Sequence, residues 1–149
     1  MILSKATLSD LACVAPLFNQ YRVFYGQPSD LDLAADFLEQ RLTHHESVIL
    51  LARNEQGDCV GFTQLYPSFS SVSVQRTWIL NDLYVLPELR GQGVGKMLLN
   101  AARQHAIDSG AKGIGLETAR DNLSAQKLYE SLGYQRETEF YSYFLSVKG

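Results

Sequence analysis

At 149 residues the chain is long enough for one hydrophobic core and short for two, so a single domain over residues 1–149 is expected. A hydrophobic fraction of 46% with 19% charged residues excludes a disordered chain, and the longest aliphatic runs, such as Val48 to Ala52, are far too short to cross a bilayer. The formal charge of −3 supplies no long-range attraction for nucleic acid or an anionic membrane, so neither is expected as a partner.

Ile2 to Ala6 has the pattern of a short strand, and Thr7 or Ser9 then offers an N-cap for a helix carrying Leu8, Leu11, Val14, Ala15 and Phe18. After an aromatic stretch, Tyr21 to Gly26, and the break at Pro28-Ser29-Asp30, apolar residues recur at helical spacing from Leu31 to His44. Ser47 to Arg53 and Cys59 to Tyr66 are β-rich runs joined by Asn54 to Asp58, the length and composition of a hairpin loop. A third β-rich run, Val72 to Val85, stops at Pro87. Val94 to Ser109 is an amphipathic helix with Gly110 placed to end it. Ile114 to Thr118 is a short strand, Asn122 to Leu132 a helix closed by Gly133, and Tyr134 to Val147 a final strand region. A meander followed by alternating strands and helices implies a mixed sheet covered by helices, of the α/β or α+β class.

The stretch Leu83-Tyr84-Val85-Leu86-Pro87-Glu88-Leu89-Arg90-Gly91-Gln92-Gly93-Val94-Gly95-Lys96 is a strand feeding a glycine-rich turn that opens a helix. Such a turn aims unpaired backbone amides and the positive helix end at one point, which suits phosphate; Arg90 and Lys96 add charge beside it. Two familiar phosphate loops fail by register. A dinucleotide fingerprint starting at Gly91 needs glycine where Lys96 stands, and a Walker loop needs glycine and Ser or Thr where Arg90 and Met97 stand.

The remaining pattern, Arg90 with Gly93 and Gly95, resembles the hallmark of the GNAT superfamily of acyl-CoA-dependent N-acetyltransferases. A second block at suitable spacing, Asn122, Ala125, Tyr129, Gly133 and Tyr134, is similar to the family's later helix. The resemblance implies a central, mostly antiparallel twisted sheet of roughly six to seven strands with about four helices. It also implies acetyl-CoA as cosubstrate and no metal. The amides of Gly91, Gln92, Gly93, Val94, Gly95 and Lys96 would hold the pyrophosphate with Arg90, and the backbone of Leu83, Tyr84 and Val85 the pantetheine arm. Asn122, Ala125 and Tyr129 complete the cofactor set. Asn122 has a competing use as a helix N-cap. The Asn81 to Val85 stretch, with Tyr66-Pro67 upstream, looks most like the branch of histone, polyamine and D-amino-acid acetyltransferases.

Acetyl transfer to an amine needs a neutral amine, a stabilised oxyanion and a proton for the departing thiolate. The resemblance makes Tyr129 the acid, against a plain reading as a packed helix tyrosine. Asp82 is the expected base, because an ionisable residue within the apolar run Trp78 to Leu83 needs a reason; the competing reading is a local cap or salt bridge. Glu117, at the end of the next strand, is its substitute. Asn81 stands where polyamine acetyltransferases carry the first member of an acidic pair. That departure keeps a non-catalytic acyl-CoA-binding module open as an alternative, beside a protein or peptide N-acetyltransferase. The acceptor walls are expected from Tyr21, Phe24 and Tyr25 with Tyr66 and Phe69, aromatic faces suited to a cationic amine but equally to packing. Asp30, Asp32 and Asp36 suit a cation or a helix dipole.

The histidines lack metal-site spacing. Cys13 and Cys59 make neither a disulfide framework nor a metal set, and Met1 to Lys5 lacks the start of a secretory signal, so a cytoplasmic chain with free thiols is expected. Phe140 to Phe144 is apolar and strand-forming, either an interior strand or, as often in the family, a homodimer surface.

Overall fold

The structure is a computed structural model that describes residues 1–148. Its contacts divide the chain into two units, Met1–Glu117 and the residues from Thr118 on.

The first unit is a five-stranded sheet with helices on both faces. The strands are β1 (Ile2–Lys5), β2 (Val48–Arg53), β3 (Cys59–Ser70), β4 (Gln75–Val85) and β5 (Ile114–Gly115), in sheet order β1-β2-β3-β4-β5. The first three pairings are antiparallel and β4 with β5 is parallel. Two helices, α1 (Leu11–Phe24) and α2 (Leu31–Thr43), precede β2, and α3 (Val94–Asp108) connects β4 to β5. Asp30 caps α2 by accepting the Leu33 amide at 3.1 Å, so it is spent on the helix start.

Alternation along β3 separates the two faces. Phe62 joins Val14, Phe18, Leu38 and Tyr84 in the core beneath α1 and α2. Its neighbour Gly61 points the other way, where an added Cβ would stand 3.3 Å from Leu98 of α3. Periodicity alone identifies that helix correctly: its buried residues are Val94, Leu98, Leu99, Ala102 and Ala106.

One irregularity positions the site. Gln64 pairs with Asp82 while Leu65 pairs with Leu80, so Asn81 is an extra residue in β4 and the strand bulges there. Leu80, opposite Leu65, lies on the α3 face. Asp82, opposite Gln64, lies on the α1 face.

The second unit holds α4 (Leu123–Ser131). Gln126 Nε2 donates to the carbonyls of Ala119 and Arg120, both at 3.0 Å, tying the preceding loop to the helix. The Tyr134 amide donates to the Tyr129 carbonyl at 3.1 Å and closes its end.

Four expectations are corrected. The strand expected over 134–147 is not formed, and Phe140, Tyr141, Tyr143 and Phe144 are exposed. Strand propensity makes no strand without a paired neighbour, and for the same reason the sheet has five strands rather than six or seven. The strand at 114–118 is only two residues long. Cys13 and Cys59 are not free thiols: they form a disulfide between α1 and β3, with Cα atoms 5.9 Å apart. Among the described residues no helix is long and apolar enough to cross a membrane.

The disulfide closes a loop of 46 residues, for which chain entropy assigns about 4 kcal/mol. Urea unfolding with and without reductant is expected to show a loss approaching that value. A Cys13→Ser/Cys59→Ser protein unchanged by reductant is the control.

Candidate active site

Asp82 is the most unusual ionisable group in the first unit, only 1% exposed at the end of the apolar half of β4. Gln64 Nε2 donates to its Oδ2 at 2.6 Å and Asn81 Nδ2 to its Oδ1 at 2.7 Å. Its backbone carbonyl accepts from Thr63 Oγ1 at 2.7 Å. The Tyr21 hydroxyl donates to the Asn81 carbonyl at 3.2 Å and also interacts with the Asp82 carboxyl. Burial pushes the Asp82 carboxyl above the usual carboxylate range, although hydrogen bonds from Asn81, Gln64 and Tyr21 pull it back. Burial, with the Asp82 charge next to it, raises Tyr21; Tyr66 is raised in the same way and lowered in part by Arg41. The cluster is therefore one buried carboxyl with neutral phenols around it. Among the described residues no local cap or salt bridge accounts for Asp82.

Gln64 was not anticipated. It is fully buried, and its Oε1 has no hydrogen-bond partner. The signal that singles out Asp82, a polar residue in an apolar run, is present around Gln64 as well, in Val60-Gly61-Phe62-Thr63-Gln64-Leu65.

Beyond the bulge, β4 changes company. Its pairing with β5 is confined to Trp78 and Ile79, whereas its pairing with β3 runs on to Val85. Among the described residues, the β5-side edge of residues 80–85, including Leu83, Tyr84 and Val85, thus has no strand paired with it. Alternate residues of a strand turn their amides and carbonyls to each edge, so this one offers a row of backbone donors and acceptors.

The same strand leads to the glycine loop. Gly91 and Gly93 have φ of +76° and +87°, and an added Cβ at either meets nothing within 4 Å. Glycine is thus required by the backbone, in a conformation costly for L-residues, and the space beside it is open. Met97 donates the first amide hydrogen bond of α3, to the Gly93 carbonyl at 3.0 Å. The amides of Val94, Gly95 and Lys96 precede it and have no acceptor within the helix. This open cradle of donors at a helix N-terminus fits a pyrophosphate. Lys96 is exposed in the first helical turn. Arg90 does more than add charge. Its Nε donates to the Val85 carbonyl at 2.9 Å, and its guanidinium lies 5.3 Å from both the Phe24 and Tyr84 ring centres, bracing the strand end against α1. Gln92 Nε2 donates to the Glu88 carbonyl at 3.2 Å.

The expected acceptor walls divide. Tyr21 and Tyr66 lie beside Asp82, and the Tyr25 ring packs 5.0 Å from Tyr21. Phe24 sits instead with Arg90 at the strand end. Phe69 does not belong: three residues on from Tyr66 in β3, it lies on the opposite face, under Arg76 at 4.8 Å. Glu117 is exposed, two residues past the shortened β5. In the second unit, Asn122 caps α4 by accepting the Ala125 amide at 3.4 Å, so its side chain and that amide serve the helix. Tyr129 is half-buried, its ring 5.7 Å from that of Tyr134.

A glycine loop opening a helix, a strand edge left open and a buried carboxyl thus lie along one stretch of chain in the first unit. The sequence profile of the Acetyltransferase (GNAT) family matches residues 14–134. The "Uncharacterized N-acetyltransferase YhfO" of Bacillus subtilis (strain 168) is 53% identical over 147 residues, 99% of this chain and 98% of that protein. The thialysine N-epsilon-acetyltransferase of Bos taurus is 39% identical over 136 residues, 89% of this chain and 76% of that one. A crystal structure of a probable acetyltransferase superposes with a TM-score of 0.95 at 46% identity, covering 100% of this chain and 99% of its own. The chain therefore belongs to the GNAT family of acetyltransferases.

The raised Asp82 carboxyl fixes a pH signature. In the folded protein it holds its proton to higher pH than in the unfolded chain, so its contribution to stability is largest at and below the ordinary carboxylate range. That contribution is lost as pH rises through the raised value. Unfolding free energies measured across acid to neutral pH are expected to show this declining component in the wild type and not in Asp82→Asn. Parallel curves for the two proteins would refute it.

Proposed function

We propose that the protein transfers the acetyl group of acetyl-CoA to a primary amine on a small molecule, by direct transfer without a covalent acyl-enzyme. The observation that carries this reading is the continuity of β4, which joins the buried Asp82, the open strand edge and the glycine loop in one stretch of chain. Acetyl-CoA supplies an activated acetyl thioester when bound. The amides at Gly91 to Lys96 would hold its pyrophosphate and the free edge of Leu83 to Val85 its pantetheine arm. Asn122 and Ala125 contribute the α4 start.

The chemistry left to the chain is proton movement. An alkyl ammonium has to lose a proton before its lone pair can react. Asp82 is too buried to meet the amine itself, so the Tyr21 hydroxyl relays: Oη accepts the amine's proton as its own O–H proton passes to the Asp82 carboxylate. Tyr129 Oη gives a proton to the departing thiolate sulfur, which leaves as the thiol. The phenol walls, Tyr21, Tyr25 and Tyr66, suit a cationic substrate. Asn81 orients Asp82, and Glu117 is the remaining acidic side chain in the proposed substrate set.

The Asn81 to Val85 stretch, together with a relative named for the ε-nitrogen of thialysine, supports a polyamine or amino-acid side-chain amine over a protein tail. A cytoplasmic setting belongs to this reading, and it requires the Cys13–Cys59 bond to be dispensable for turnover in a reducing compartment. The exposed Phe140, Tyr141, Tyr143 and Phe144 support a homodimer that covers them. Light scattering at assay concentration is expected to give twice the chain mass; a monomer would remove the dimer from the reading.

Calorimetric titration of cofactor-free protein is expected to show saturable binding of acetyl-CoA and none of NADH or ATP. Gly93→Val is expected to abolish it. With an amine acceptor, Tyr129→Phe is expected to lower kcat by about a hundredfold or more while leaving acetyl-CoA affinity within a few fold. Equal loss of both would make Tyr129 a binding residue and favour a non-catalytic acyl-CoA-binding module.

A further inference from the structure

A second cavity lies at the other end of α3. It has a volume of about 390 Å³ and is lined by Lys5, His45, Phe69, Arg76, Trp78 and His105, with Ser109 at its edge. All of these belong to the first unit. The 15 residues of α3 set it about 22 Å from the glycine loop.

The lining is unusual for this chain. The sequence has 16 acidic residues against 13 lysines and arginines, yet this cavity gathers two permanent cations and two histidines with no acidic side chain. Among the described residues the ion pairs are Arg41 with Glu46 and Arg53 with Asp10, so Lys5 and Arg76 have no carboxylate partner. Neither is needed to cap α3, because the Gly110 and Ala111 amides already close its last turn on the Ile107 and Ala106 carbonyls. Arg76 is held in place: its guanidinium lies 4.8 Å from the Phe69 ring centre and 5.3 Å from that of Trp78. Trp78 is fixed in turn, its Nε1 donating to Ser109 Oγ at 2.9 Å and its ring 4.8 Å from His105. His105 Nε2 is buried without a hydrogen-bond partner. Positioned like charges without a counter-charge cost folding free energy, and a bound anion offsets that cost.

We propose that this cavity is a second ligand site, separate from acetyl transfer, for a small organic anion whose clustered oxygens are held between the Lys5 ammonium and the Arg76 guanidinium. A phosphate ester and a polycarboxylate share that chemistry. Burial and the charges of Lys5 and Arg76 keep His105 below its ordinary range, partly opposed by Asp108, so an anion here is expected to raise it.

Trp78 is the sole tryptophan, so its emission reports on this cavity and not on the glycine loop. Titration of the full chain with sodium phosphate and with citrate, at fixed pH and ionic strength, is expected to give a saturable change that sodium chloride does not reproduce. Saturation by phosphate alone identifies a phosphate-ester site, and by citrate alone a polycarboxylate site. Lys5→Gln, an exposed change on a four-residue strand, is expected to weaken binding about tenfold or more, as is Arg76→Gln. By NMR, the His105 ring midpoint is expected to rise in sulfate, whose charge is constant across the titration, relative to chloride. No saturable response to either anion, a response equal to that of chloride, or wild-type affinity in both variants would overturn the site.

Discussion

One extra residue in β4 decides what the first unit can do. Were Asn81 paired in register instead of bulged, strict alternation would put Asp82 on the face that holds Trp78 and Leu80, among the apolar side chains under α3. With the bulge, Asp82 turns to the α1 face, where Gln64, Asn81 and Tyr21 are placed to bond it. A bulge also increases local twist and bends the strand that carries it. Pairing of β4 with β5 ends at Ile79, just before the bulge, while pairing with β3 continues on the far side. The buried carboxyl and the open strand edge thus begin at the same place in β4. Arg90 then fixes where the strand ends, bonding the Val85 carbonyl and stacking between Phe24 and Tyr84.

The energetic character of this region is the reverse of the core behind it. Phe62, Leu38 and Leu98 are buried with nothing to satisfy, each worth about 1.5–3 kcal/mol of transfer free energy. Asp82 and Gln64 are as deeply buried, and the hydrogen bonds they make do not fully offset their desolvation. The raised Asp82 carboxyl and the partnerless Gln64 Oε1 are the residue of that imbalance. A fold bears such costs where its other interactions outweigh them, and here the cluster is carried by the paired strands of the β2–β3–β4 meander.

Elements with a strong repeat were legible from the sequence. The helical spacing of α3, the break before α2 and the hairpin at Asn54 to Asp58 all fall where periodicity and turn chemistry put them. The glycine loop was legible because its residues carry their reasons locally. Gly91 and Gly93 take positive φ, and Gly93 opens the helix. What escaped depends on long-range placement. No spacing rule brings Cys13 within disulfide reach of Cys59, 46 residues away. Phe69 looks like a neighbour of Tyr66 along the chain, but their separation of three residues puts them on opposite faces of the sheet. Asp82 was singled out as polar in an apolar run, while the partner that holds it, Gln64, lies on another strand. The expected strand at 134–147 failed because its propensity was real and its pairing partner was not.

The proposed proton path gains its plausibility from the same burial that makes Asp82 costly. In water an alkyl ammonium and a carboxylate are separated by several pKa units in the direction that keeps both charged. Desolvation acts on the two in opposite senses, raising the acid and lowering the amine, so a dry site narrows the gap and favours the neutral pair. Tyr21, kept protonated by burial and by the Asp82 charge, adds no negative charge of its own and so does not undo that convergence. A more exposed carboxylate would bind an ammonium readily and leave it an ammonium. In the proposed path the bulge at Asn81, by turning Asp82 to the α1 face beside Tyr21, trades that easy attraction for a group able to take the proton away.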